Sequence, residues 1–363
     1  MPEKIVDAWG SSEVKIDAKL ISQFGLKQFS QDELKHYKHY LFERGIIVAH
    51  RDFGLIDGRI KNKQKFLQVT GIAATGPLHL GHKVDVDLFV YLNSLGAKSY
   101  FVVSDIDAYT SRPSSSVPSM EAAKENAAAD VADLLALGVE KSDIYVQSRK
   151  EPRYYEFAFE LSKILTENEI KAIYGSLNPG KIAANLLQYA DILHPQLKEF
   201  DGPMPSITGI GIEQDPHARA VRDIAHRLPY KFFSPSFIYF THLPGLQQDK
   251  KMSKSEPDTA IFLGDSAKDI KRKINKAYSG GKDSVEEQRK YGANVEIDRA
   301  FAILNYHHPD TEFVNDVREK YSSGKMLSGE LKQICTEFLT EMLAKHQEKV
   351  EKSKTTAEKI VYG

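Results

Sequence analysis

Phe66-Leu67-Gln68-Val69-Thr70, the glycine-bounded turn from Gly71 to Gly76, and Pro77-Leu78-His79-Leu80-Gly81-His82 form the stretch on which the fold turns. The first five residues read as a strand. From His79 to Leu95 the apolar residues Val84, Leu88 and Tyr91 or Leu92 recur at helical spacing, and Gly96 follows as a stop. The same alternation continues downstream. Ser99-Tyr100-Phe101-Val102-Val103 is short, apolar and rich in β-formers, as a buried parallel strand should be. Glu121 to Leu137 is an alanine-rich helix ending at Gly138, and Ile144-Tyr145-Val146 is the next strand. Strand, helix, strand, helix, strand predicts an α/β fold with a doubly wound parallel sheet.

Working outward, residues 1–64 read as a small N-terminal appendage. It holds Trp9 in a turn, a polar helix from Gln31 to Phe42 ending near Gly45, and a strand from Ile46 to His50. His36 and His39 could share a face for a metal, but no third ligand is near, and a solvated helix face is the simpler reading. On the other side, residues 151–204 read as a mainly helical insertion, with Ile182, Asn185, Leu186, Tyr189 and Leu193 at helical spacing. Pro205 to Ile212 returns to strand. Asp215-Pro216 reads as a helix start with Asp as N-cap, and Ala218, Val221, Ala225 and Leu228 give that helix its buried stripe. Beyond Gly264 the strand signals stop. A lysine-rich helix from Ser266 to Tyr278, a capping-box pattern at Ser284 to Glu287, and a last helix from about Gly329 to Lys349 follow. The expected division is an appendage (1–64), an α/β catalytic domain (65–264) and an α-helical domain (265–363).

Composition narrows the class. Hydrophobic residues at 41% and charged residues at 27% are ordinary for a water-soluble globular chain, and no apolar run approaches the roughly 18 residues of a membrane span. The single cysteine, Cys335, excludes an intrachain disulfide and a multi-cysteine zinc site. The N-terminus lacks the basic-then-apolar layout of a leader, so a cytoplasmic location is expected. A net charge of −1 neither advertises nor excludes nucleic-acid binding.

Two stretches carry chemistry. In the first, a glycine turn lets backbone approach a ligand, and the helix N-terminus behind it offers free N–H groups. His79 and His82 are three apart and share a face of the first turn, where both can donate to phosphate oxygens. Gly81 between them leaves flat room for a purine. Gly76 and Gly81 have the spacing of a Walker A loop, but His82-Lys83-Val84 stands where Gly-Lys-Ser/Thr belongs, so that reading fails. A zinc site on the two histidines lacks a third ligand. The second stretch, Lys250-Lys251-Met252-Ser253-Lys254-Ser255, is on its own a lysine-rich loop of the kind usually only solvated.

The two stretches together, in this order, resemble the class I aminoacyl-tRNA synthetases. The resemblance extends through nearly the whole chain. Gly209-Ile210-Gly211-Ile212-Glu213-Gln214-Asp215-Pro216-His217-Ala218-Arg219-Ala220-Val221-Arg222-Asp223, Ala190-Asp191-Ile192-Leu193-His194, Ser279-Gly280-Gly281-Lys282-Asp283, Gly45-Ile46-Ile47-Val48-Ala49-His50-Arg51-Asp52 and Asp7-Ala8-Trp9 are similar to tryptophanyl-tRNA synthetases of the archaeal and eukaryotic type. That family implies a Rossmann-like catalytic domain, a helical domain that recognises the anticodon, and a homodimer. Its reaction uses ATP with Mg2+ on the phosphates, L-tryptophan and tRNA(Trp), and needs no protein nucleophile. A tyrosyl enzyme is the close alternative, and a small-molecule nucleotidyltransferase a more distant one.

Carried over by resemblance, His79 and His82 attend the ATP phosphates, and Lys251, Ser253 and Lys254 the departing pyrophosphate. Pro77, Gly81, Gly211, Glu213 and Met252 surround the nucleotide. Val69, Asp107, Gln188, Asp191, Gln214 and Gln247 line the amino-acid site, with Asp191 where tyrosyl and bacterial tryptophanyl enzymes read the ring's polar atom. Two departures stand out. The eukaryotic tryptophanyl pattern places a tyrosine and a glutamine on the first two strands, where this chain has Val69 and Val102. Glu213 replaces the family's usual aspartate, which keeps a carboxylate but adds a methylene.

Overall fold

The computed structural model describes residues 18–112, 115–174 and 178–363; Trp9 and its turn lie outside them. Seven strands form one sheet: β1 (Lys27–Gln28), β2 (Ile47–Arg51), β3 (Phe66–Ala73), β4 (Ala97–Ser104), β5 (Ile144–Val146), β6 (Ser206–Gly211) and β7 (Ser236–Phe240). Their order is β1-β2-β7-β6-β3-β4-β5. From β7 to β5 all pairs are parallel, while β2 on β7 and β1 on β2 are antiparallel. The expected doubly wound sheet is therefore present, and strands from the first 64 residues extend one edge. Sequence order reverses between β6 and β3, and the crevice outside the strand ends at such a switch point is where α/β sheets bind ligands.

Helices α1 (Leu80–Ser94), α2 (Met120–Leu137), α3 (Pro179–Leu193), α4 (Asp215–Arg227) and α5 (Ser328–Tyr362) cover the sheet. The central strands are buried on both faces, and successive side chains turn to opposite sides of the sheet. Phe101, Val103, Ile238 and Phe240 point into one core with α1, α2 and α5. Phe237 and Tyr239 point into the other, with α3, α4 and the helix Pro152–Leu161. Each fully buried side chain of this size contributes roughly 1.5–3 kcal/mol of transfer free energy.

Local differences from the expected elements have identifiable causes. The Gln31 to Phe42 segment is not one helix. Ser30 and Glu33 form a capping box that starts Gln31–Leu34, and His39 Nδ1 accepts from the Leu41 N–H to start Tyr40–Glu43. His39 also stacks on Tyr40 and Tyr91, so it does not share a helix face with His36. Asp215 is not an N-cap. Its carboxylate is buried and takes Arg51, Arg219 and the Tyr239 hydroxyl, while Gln214 occupies the cap position. The last helix runs past Lys349 to Tyr362 because Ala357 and Val361 remain buried against the core. It is tied to α2 by His346 Nε2 and Asp133 Oδ1 at 2.8 Å, and to the Leu263 and Asp265 carbonyls by Gln347.

Candidate active site

The turn after β3 and the lysine loop meet. Lys254 Nζ donates to the Gly76 carbonyl at 2.7 Å and to Thr75 Oγ1 at 3.2 Å, across 178 and 179 positions of sequence. An ammonium has three protons, so one remains for a ligand. The loop is shaped by Ser253, whose N–H donates to Thr259 Oγ1 and whose hydroxyl lies 2.9 Å from that of Ser255. The Met252 side chain is buried in the core and anchors the loop; only its backbone is left to face a nucleotide. Pro77 is exposed at the rim.

His79 is the N-cap of α1. Its Nδ1 accepts from the Gly81 N–H at 3.1 Å, and its own N–H donates to His82 Nδ1 at 3.2 Å. The rings lie 3.9 Å apart between centroids. Because each Nδ1 accepts, the hydrogen-bond pattern assigns the proton of each neutral ring to Nε2. Burial, with Lys254 and His242 close, pushes His79 down to about 3; His82 is also held well below the usual imidazole range by burial and by His79. Both are neutral donors, and the cationic charge at this end comes from the lysines. A Cβ on Gly81 would lie 2.8 Å from His79 Cε1, so the room this glycine leaves is taken by the His79 ring.

At the ends of β6 and β7, Glu213 is buried and pairs with His242, Nε2 to Oε2 at 2.7 Å. Gly211 lies beneath the pair. Neither His242 nor Asp85, which bears on it electrostatically from α1, was singled out by sequence reasoning. Asp85 did carry a signal: it follows His82 by three residues, at the same spacing as His82 from His79.

The region where the resemblance expects the amino acid is built differently. Val69 and Val102 are buried on one sheet face, and Gly71 pairs in register with Val102, where a Cβ would fall 2.1 Å from Val102 Cγ1. Asp191 on α3 is buried. Its Oδ1 accepts from the Tyr145 and Tyr154 hydroxyls at 2.8 and 2.6 Å, and its Oδ2 from Gln147 Nε2 at 2.7 Å. Burial raises its carboxyl to about 7 although these three donors pull it down. Gln147 Oε1 in turn accepts from the Asp107 N–H at 3.1 Å, so Asp107 and Asp191 are joined through one glutamine. Gln188 is half-buried one turn before Asp191, and Gln214 is half-buried after β6. Gln247 is exposed ahead of the lysine loop. Tyr145, Gln147 and Tyr154 were not foreseen, since a bond between residues 37 to 46 positions apart leaves no periodic trace.

With this geometry in view, residues 61–344 match the family model described as tRNA synthetases class I (W and Y), and the chain belongs to that family. It is 35% identical to the tryptophan–tRNA ligase of Aeropyrum pernix over 99% of each chain, and 37% identical to that of Methanocaldococcus jannaschii over 98% of this chain and 97% of the other. Among solved structures, it is similar to the tryptophanyl-tRNA synthetase of Aeropyrum pernix, with TM-score 0.89, 36% identity and 98% of each chain covered. It is also similar to the tryptophan-bound enzyme of Encephalitozoon cuniculi, with TM-score 0.80, 25% identity and 95% and 98% covered.

Proposed function

We propose that this chain is a tryptophan–tRNA ligase. It activates L-tryptophan with ATP and transfers the acyl group to the 3′ end of tRNA(Trp). The observation that carries the reading is the meeting of the two signature stretches, Lys254 against Gly76, at the switch point of the sheet. In the first step a carboxylate oxygen of tryptophan attacks the α-phosphorus of ATP. The bond to the bridging oxygen breaks, giving tryptophanyl-adenylate and pyrophosphate. In the second, a ribose hydroxyl of the terminal nucleotide attacks the acyl carbon and AMP leaves.

No side chain needs to act as nucleophile, so catalysis rests on positioning and on stabilising phosphate charge. His79 and His82 offer their Nε2 protons to phosphate oxygens as neutral donors. Lys251 and Lys254, with Ser253, take up charge on the departing pyrophosphate. Mg2+ would arrive with the ATP triphosphate and would neutralise part of its charge. Pro77, Gly81, Gly211, Glu213 and the Met252 backbone enclose the nucleotide. Val69, Asp107, Gln188, Asp191, Gln214 and Gln247 form the amino-acid side. Asp191 has lone-pair capacity beyond its three donors and serves as acceptor for the indole N–H.

Residues 265–363 read the anticodon, the working unit is a homodimer, and the enzyme acts in the cytoplasm; no described helix is long and apolar enough to cross a membrane. Charging assays with a tRNA(Trp) transcript test the reading. Tryptophan held as a base-labile ester should accumulate on the 3′ end and disappear when the terminal adenosine is removed. Charging of tRNA(Tyr) with tyrosine instead would overturn it.

A further inference from the structure

The reaction scheme above leaves His242 without a task, yet it is paired with a buried carboxylate. It lies two residues past the end of β7, and its Nε2 is 2.7 Å from Glu213 Oε2. Both groups lie over Gly211. A Cβ there would sit 2.4 Å from His242 Nε2 and 2.5 Å from each Glu213 oxygen, so the pair fits only because residue 211 is glycine. The backbone carrying the ring is also held: the Tyr306 hydroxyl donates to the His242 carbonyl at 3.1 Å and lies 2.5 Å from Thr241 Oγ1.

The charges around the ring come from several elements. Glu213 approaches from the end of β6, Asp85 from the histidine face of α1, Lys251 from the lysine loop, and His79 from the α1 N-cap. The surrounding atoms alone would lower the His242 pKa, but the hydrogen bond and charge of Glu213, with Asp85, raise it overall. Asp85 is raised to about 7 by burial, with His242 pulling it down and Glu213 pushing it up. Glu213 has one more rotatable bond than an aspartate, and an unheld carboxylate would spread over several rotamers.

We propose that His242 is a positioning residue of the nucleotide site, clamping the Glu213 carboxylate above Gly211 so that this acid can read the ribose hydroxyls of ATP. The proposal rests on the ATP-activating function set out above. Asp85 acts on the imidazole electrostatically, which couples the clamp to the helix that carries His79 and His82.

Pyrophosphate-exchange kinetics of the full chain with ATP, 2′-deoxyATP and 3′-deoxyATP at saturating tryptophan test it. The wild type should show a KM about tenfold or more higher for at least one deoxy analogue. His242→Phe should raise the KM for ATP toward that of the analogue, leave kcat within about twofold and leave the KM for tryptophan unchanged. His242→Gln keeps a donor for Glu213 and should recover part of the discrimination. Glu213→Gln combined with His242→Phe should lose no more discrimination than either alone. Retention of the wild-type KM ratio in His242→Phe, or an equal loss with all three nucleotides, would overturn the proposal. If the wild type exchanges with no amino acid, the functional reading fails; calorimetric binding of ATP against the deoxy analogues then decides the role of His242 by the same ratio.

Discussion

The two ends of the cleft are built on opposite plans. The proposed nucleotide end is made of contiguous stretches. His79, Gly81 and His82 come from one turn of backbone, and Lys251, Ser253 and Lys254 from one loop. The proposed amino-acid end is made of single residues from distant elements, with Asp191 buried under two tyrosines and a glutamine. At the first end, function depends on charge that a ligand meets on arrival. At the second, it depends on a dry network whose members hold one another. Substitutions should therefore damage the nucleotide end chemically with little loss of stability, and damage the amino-acid end in both respects.

The largest effect tests the first half of that contrast. Lys251→Ala with Lys254→Ala should lower tryptophan-dependent pyrophosphate exchange by about 10³-fold or more, since each lost contact to developing charge costs roughly 10²–10³. Tryptophan binding and the melting temperature should hardly move. Parallel losses in binding and rate would make the loop a structural element instead. Next comes Asp191→Ala, which should remove most tryptophan activation, by roughly 10² or more, and also strand the donors Tyr145, Tyr154 and Gln147. Each stranded donor costs about 1–3 kcal/mol, so chemical denaturation should report a fall of several kcal/mol. Normal activation in this variant would return Asp191 to a purely structural role.

A smaller effect probes the wall of the amino-acid side. Gly71→Ala drives a methyl into Val102 and should cost about 1–3 kcal/mol by overpacking. Adding Val102→Ala should restore much of it, and denaturation of the single and double variants checks this.

The last effect is on pH dependence. The Asp191 carboxyl is raised to about 7 in the fold, against about 4 in an unfolded chain. Between these values the folded state holds the extra proton, so the stability from this group is present below about pH 4 and is lost as pH rises through about 7. Relative to Asp191→Asn, the wild type should lose melting temperature from pH 4 to pH 8. A constant difference would contradict the assigned burial.

The same contrast explains what could be read from the chain. The doubly wound sheet was legible because each strand and helix carries its own period and its own stop, such as Gly96 and Gly138. The nucleotide end was legible because its groups sit within a few residues of one another. The antiparallel extension by β1 and β2 was not, since a five-residue strand does not say which edge it joins. Nor was the break in the Gln31 to Phe42 helix, where side-chain caps at Ser30 and His39 outweigh helical spacing. The Asp191 network and the Glu213–His242 pair depend on tertiary contacts between residues 29 to 46 positions apart. Burial decides their chemistry, and burial is a property of the assembled fold.

The central claim, that this cleft activates tryptophan, is tested most directly by pyrophosphate exchange into ATP measured with each of the twenty amino acids in turn. Exchange should depend on tryptophan and be absent with tyrosine. Exchange supported by tyrosine and not by tryptophan would contradict the claim.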